Sequence, residues 1–173
     1  MNEALAAELL RMAEEDQRIR RPLANDGEYV RILSIEEAME HARVDVGNTD
    51  RLREIVREHG WPGISLVGEK GADAAWLLAQ HADRQLDFQR EVLPLLAEAA
   101  STGEAKASHV AYLTDRIAKA EGRPQWYGTQ IGDIRDGKAI PWPIAEPESV
   151  DERRREAGLE PLDDYLRGFV KRQ

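Results

Sequence analysis

Three polar side chains able to do chemistry stand four residues apart in this sequence: His81, Gln85 and Gln89. An imidazole exchanges protons near neutral pH, and a primary amide can orient it by donating and accepting at once. On an α-helix the spacing i, i+4, i+8 stacks the three as a ladder. The stretch from Ala72 to Ala100 reads as one long helix of this kind. At about 100° per residue, Ala75, Leu78, Ala82, Leu86, Val92, Leu93 and Leu96 share one face. Gln85 and Gln89 interrupt the middle of that apolar face, and His81 stands at its shoulder. Buried polar groups cost free energy unless they are hydrogen-bonded. The ladder therefore requires partners from elsewhere in the fold, water or a ligand. One reading is a general acid/base in a pocket, held by amides. The other is a satisfied core histidine with glutamines bridging to loop backbone.

Asp16 sharpens the first reading. Leu5, Leu9, Met12 and Ile19 form a helical stripe over Glu3 to Arg21, and Asp16 occupies the place in that stripe where an apolar residue belongs. A carboxylate facing a core is compensated as a rule. Paired with His81 it makes an acid–base dyad in which Asp16 orients the ring. Paired with Arg20 one turn on, or with Arg116, it is a structural ion pair. Tyr127, Gly128, Thr129 and Gln130 bring a phenol, a glycine, a hydroxyl and an amide into one short segment. That segment reads as a polar ligand loop or as ordinary turn chemistry. The candidate site is thus His81 and Asp16 as the catalytic pair, with Gln85, Gln89, Tyr127, Gln130 and Arg116 as substrate contacts. No metal and no cofactor are expected. The four histidines, His41, His59, His81 and His109, lie on separate segments without metal-ligand spacing. There are no cysteines, and no serine sits in a nucleophile elbow.

The elements that must position these residues are mostly helical. Pro22 ends the first helix, and Asn25, Asp26 and Gly27 make a turn. Ser34 with Glu37 forms a capping-box pattern before a helix over about Ile35 to Val44. Asn48, Thr49 and Asp50 offer a second N-cap for a short helix carrying Leu52, Ile55 and Val56, stopped by Gly60. His59 to Gly71 reads as a Gly/Pro-rich connection. After the long helix, another runs from about Ala105 to Glu121 and stops at Gly122. Asp136–Gly137 signals a hairpin, with Pro141 and Pro143 confining its second arm to an edge. Two short helices follow, split by Gly158 and Pro161. The fold class is mostly α: a compact, bundle-like helical core over residues 1–122. Residues 123–173 add a β-hairpin or extended arm and tail helices packed on the same single domain.

Bulk properties narrow the function. The 173 residues carry a net charge of −9, which disfavours a duplex nucleic-acid partner. The basic runs Arg18, Arg20, Arg21 and Arg153, Arg154, Arg155 are interleaved with acids and read as solvated helix faces. No apolar run approaches the roughly 20 residues of a membrane span, and the N-terminal stretch lacks the basic start of a signal peptide. A cytoplasmic protein is expected, with its oligomeric state open.

The motifs HGWPGISLVG, WLLAQHAD, AYLTDRI, QWYGTQ and VDERRREAGLEPL occur in that order over nearly the whole chain. In them the sequence resembles a bacterial domain-of-unknown-function family. The resemblance implies a standalone soluble bacterial protein and carries over no activity and no site residue. The expected function, from the residues alone, is a metal-independent acid/base enzyme acting on a small polar molecule or peptide. The alternative is a non-catalytic ligand- or protein-binding module.

Overall fold

The stripe of the first helix forms as its spacing dictates. Helix α1 (Glu3–Ala24) buries Leu5, Leu9, Met12 and Ile19 in one row, and Asp16 lies in that row, also buried. It reaches Ala24, two residues past Pro22, within the ordinary variation of helix ends. The computed structural model describes residues 1–24 and 33–171, and side chains outside 21–24 and 169–171. The turn expected at Asn25, Asp26 and Gly27 lies outside the described residues.

Helix α2 (Ile35–His59) opens with the capping box of Ser34 and Glu37 and stops at Gly60, whose φ is 72°. The break expected at Asn48–Asp50 does not occur. Thr49 faces inward in one row with Val44, Leu52, Ile55 and Val56, and its hydroxyl donates to the Asp45 carbonyl at 2.8 Å. A hydroxyl bonded one turn back inside a helix no longer competes for an N-cap. Helix α3 (Ile64–Gln80) starts inside the stretch expected to be a connection, with a non-helical residue at Gly68. Glu104 closes its start: its carbonyl accepts the Ile64 N–H and its carboxylate the Ser65 N–H.

The long helix expected over Ala72–Ala100 is two helices. Helix α3 ends at Gln80, a turn runs through His81 to Gln85, and α4 (Leu86–Ser101) begins after it. No proline or glycine marks the place. The break is held by tertiary bonds: the Gln89 amide nitrogen donates to the carbonyls of Ala79 (3.2 Å) and Gln80 (3.0 Å). In an unbroken helix those carbonyls would accept from the N–H groups four residues on, at Asp83 and Arg84. A side chain stands in for two main-chain donors.

Helix α3 packs against α1, α2 and α4, around a core in which Leu9, Leu52, Ile55, Leu78, Phe88 and Leu96 are fully buried. These elements form one compact unit, residues 1–105, and residues 106–173 form a second. The second contains helix α5 (Ala107–Ala120) and an antiparallel hairpin of β1 (Ile131–Arg135) and β2 (Lys138–Pro141). The hairpin turns at Asp136–Gly137, both at positive φ (50° and 67°), as its sequence requires. Helices α6 (Val150–Glu156) and α7 (Leu162–Lys171) complete the unit. The chain is mostly helical with a C-terminal two-stranded hairpin. One expectation fails here: Arg153 and Arg154 do not form a solvated face. They are buried, because both guanidinium groups bond to main-chain carbonyls. Only Arg155 of that run is exposed.

Candidate active site at the α3–α4 corner

Asp16 projects from the buried row of α1, with 1% of its surface exposed. Its Oδ2 lies 2.7 Å from Nδ1 of His81, the residue that ends α3. The same carboxylate accepts from Gln17 at 3.0 Å and pairs through Oδ1 with Arg20 at 2.9 Å. Arg20 reaches on to Asp45 at 2.7 Å. Both partners considered for Asp16 on its own helix and on the long-helix segment are therefore engaged at once. A carboxylate only accepts, so the ring nitrogen facing it carries the proton. In the neutral ring Nε2 is then a free base. Among the described residues Nε2 has no hydrogen-bond partner, and the side chain keeps 15% of its surface exposed.

Gln85 and Gln89 follow His81 across a turn and not along one helical ladder. Gln85 is the N-cap of α4, and its amide donates to Asp50 on α2 at 2.7 Å. Gln89 is fully buried. Its amide nitrogen holds the end of α3 and lies 3.4 Å from Asp83. Each of the three residues is thus tied to its own aspartate: His81 to Asp16, Gln85 to Asp50, Gln89 to Asp83. Neither His81 nor Asp16 lines the two clefts described beside α1. One, of about 640 Å³, is bordered by Arg11, Met12, Glu14, Glu15, Arg18 and Asn48. The other, of about 160 Å³, lies along Arg18, Ile19, Glu37 and His41. Among the described residues no group of three or more His, Asp or Glu side chains could hold a metal ion.

Tyr127, Gln130 and Arg116 belong to the second unit. There the QWYGTQ segment folds around a residue that sequence reasoning passed over, Asp115 of α5, which is fully buried. Its carboxylate accepts the main-chain N–H groups of Trp126 (2.7 Å), Tyr127 (3.0 Å) and Thr129 (2.9 Å), and the Thr129 hydroxyl at 3.0 Å. Gln125, also fully buried, donates to the carbonyls of Gln130 and Trp142 and accepts the Gln130 N–H. Arg153 donates to the Trp126 carbonyl and stacks 4.1 Å over its indole. Arg154 donates to the Tyr127 carbonyl, and the Tyr165 hydroxyl to that of Thr129. Burial pushes the Tyr127 phenol above its ordinary range, and the Asp115 charge adds to the effect. The Gln130 amide donates to the Thr129 hydroxyl, and Arg116 is half-buried on α5. The main-chain N–H groups of Trp126, Tyr127, Thr129 and Gln130 are thus all held by the unit's own side chains.

A family model described as a family of unknown function (DUF6624) matches residues 3–171. The chain belongs to that family. No curated protein and no solved structure matches it. The match takes in the α3–α4 corner and the Asp115 loop alike, so both polar centres of this DUF6624 member lie inside the family's span. The first was visible in the sequence as a carboxylate in an apolar stripe. The second carried no such mark, because Asp115 lies off the apolar stripe of α5 and its partners arrive from 11 to 14 residues downstream.

Proposed function

We propose that the Asp16–His81 pair is a metal-independent proton-transfer site acting on a small polar molecule or peptide. The observation that carries this reading is the 2.7 Å contact between a fully buried carboxylate and Nδ1 of a ring whose Nε2 has no partner among the described residues. Asp16 would fix the tautomer and orientation of the imidazole, and Arg20 and Gln17 would fix Asp16. His81 would take a proton at Nε2 from a bound hydroxyl, amine or water and return it to the leaving group. The same proposal makes it a bacterial cytoplasmic enzyme without nucleic acid or membrane as partner, a reading supported by the motif resemblance and the cysteine-free, acidic composition.

Diethyl pyrocarbonate, which acylates an accessible neutral imidazole, tests the site without a known substrate. His81 should be modified at neutral pH, and Asp16→Asn should slow the modification. An asparagine amide can donate to Nδ1 and leave the proton on Nε2. His81→Gln should abolish turnover in a screen of esters, amides and amino compounds while far-UV circular dichroism stays unchanged. A His81 that resists the reagent while the exposed His59 reacts would refute the assignment. A second reading, a binding module without turnover, draws on the fact that the dyad lines neither described cleft. It predicts ligand binding that survives His81→Gln.

A further inference from the structure

The side of α1 that adjoins its buried row is charged, and it borders a cleft. Arg11, Glu14, Glu15 and Arg18 follow one another at i, i+3, i+4 and i+7, which puts them on one side of the helix. With Met12 of the same helix and Asn48 of α2 they line the cleft of about 640 Å³, a volume in the range of small-molecule sites. Neither His81 nor Asp16 lines it, so its occupant does not depend on the proton-transfer reading.

Half of the charge on this face is used inside the fold. Arg18 donates twice to Glu15, at 2.8 and 2.9 Å, and once to Glu40 of α2 at 2.8 Å. Arg11 and Glu14 are exposed and make no hydrogen bond or ion pair among the described residues, although they stand one turn apart. Arg11 adds to the field on the Glu8 carboxyl, which Arg51 already holds. Asn48 contributes a third unsatisfied group. Its side-chain nitrogen is buried and has no hydrogen-bond partner among the described residues. Such donors are rare in folded proteins, and each calls for an acceptor. The cleft thus presents one open guanidinium, one open carboxylate and one open amide. An anion alone would gain Arg11 and Asn48 and lie against Glu14. A cation alone would gain Glu14 and lie against Arg11. A molecule carrying both charges matches the set.

We propose that the cleft between α1 and Asn48 binds a small zwitterion with a free ammonium and a free carboxylate, an amino acid or a short peptide. The carboxylate takes the Arg11 guanidinium and the Asn48 amide, and the ammonium takes Glu14. Met12 supplies an apolar wall for the carbon chain between them. Arg18, tied to both Glu15 and Glu40, is the fixed side of the cleft.

The test is a titration of the full-length, ¹⁵N-labelled protein with alanylalanine at constant ionic strength. Parallel titrations use free alanine, N-acetyl-alanylalanine, which lacks the ammonium, and alanylalanine amide, which lacks the carboxylate. The Asn48 side-chain amide and the Arg11 Nε–H resonances are followed. Saturable shifts are expected with alanylalanine, with binding of both blocked forms weaker by about 10-fold or more. Free alanine binding as tightly as the dipeptide assigns the site to amino acids, and weaker binding assigns it to peptides. Arg11→Gln, which breaks no bond described in the fold, should weaken alanylalanine by about 10-fold. Glu14→Gln should bring alanylalanine down to the level of its acetylated form. No saturable shift with either zwitterion would overturn the site. So would blocked forms that bind as well as the parent peptide, or an affinity unchanged in Arg11→Gln.

Discussion

Asp115 and Asp16 are both buried carboxylates, and they are satisfied in different ways. Asp16 is paired with side chains: a guanidinium, an amide and an imidazole. Asp115 is paired with main-chain N–H groups from a single loop and one hydroxyl. Several N–H groups converging on one carboxylate hold the anion without a counter-charge. Asp115→Asn offers those donors one acceptor oxygen and turns an NH₂ group against the rest. The variant should lose about 2–4 kcal/mol, because N–H groups left buried and unpaired bear their full desolvation cost. The urea midpoint followed by tryptophan fluorescence measures this, and an unshifted midpoint would mean that the loop's N–H groups reach solvent. Asp16 was legible because a carboxylate in an apolar stripe is anomalous. Asp115 was not, and neither were the roles of Arg153 and Arg154. A guanidinium that folds inward to bond carbonyls has the same sequence signature as one in water.

At the scale of elements, amphipathic spacing marked the first unit as helical but divided α2 in two, joined α3 to α4 and read the start of α3 as a connection. Asn48–Thr49–Asp50 carries a good N-cap signature, yet α2 runs through it, since the apolar row from Val44 to Val56 gains more by staying continuous than a cap would return. The reverse holds at His81–Gln85, where nothing local stops a helix and the break is made by Asp16 from α1 and Gln89 from α4. Local propensity is blind to a stop signal that arrives from another element. Continuity of α2 has a testable corollary at Gly47, which lies inside the helix, exposed, with nothing within 4 Å of where a Cβ would stand. Gly47→Ala should stabilise the protein by about 0.5–1 kcal/mol, through lower backbone entropy in the unfolded chain. A rise in melting temperature is the expected result, and a fall would indicate a break in the helix at that point.

For the whole molecule, stability against pH is bounded by different groups in the two units. In the first, the hydrogen bond from Arg51 holds the Glu8 carboxyl below its ordinary range. That contribution is present above the unfolded carboxylate pKa, about 4.3, and is lost as pH falls through the lower folded value. In the second, burial pushes the Tyr165 phenol well above its ordinary range, with Tyr112 adding to the shift. A raised folded value means that the unfolded chain releases the proton first. Stability is therefore complete below the unfolded phenol pKa of about 10 and declines as pH rises beyond it. Tyr165→Phe should lose about 1 kcal/mol at neutral pH with the bond to Thr129. It should also flatten the decline between about pH 9 and about pH 11. Urea midpoints of parent and variant across that range decide the matter, and parallel slopes would remove Tyr165 as the cause. Among the described residues no helix is long and apolar enough to cross a membrane.

The loop from Trp126 to Gln130 has its main chain held by side chains from α5, α6 and α7, and the ties to Arg153, Arg154 and Tyr165 span 27, 27 and 36 residues. The ties to Arg153 and Arg154 wait for α6 and the tie to Tyr165 waits for α7, so the full set of clamps is complete only with the last of these helices. The C-terminal unit should then open and close as one foldon, its slowest-exchanging amides lying in a segment without regular secondary structure. The order of events during synthesis follows as well: while the chain is still emerging, the loop waits for Tyr165, and only the release of the final helix completes the unit.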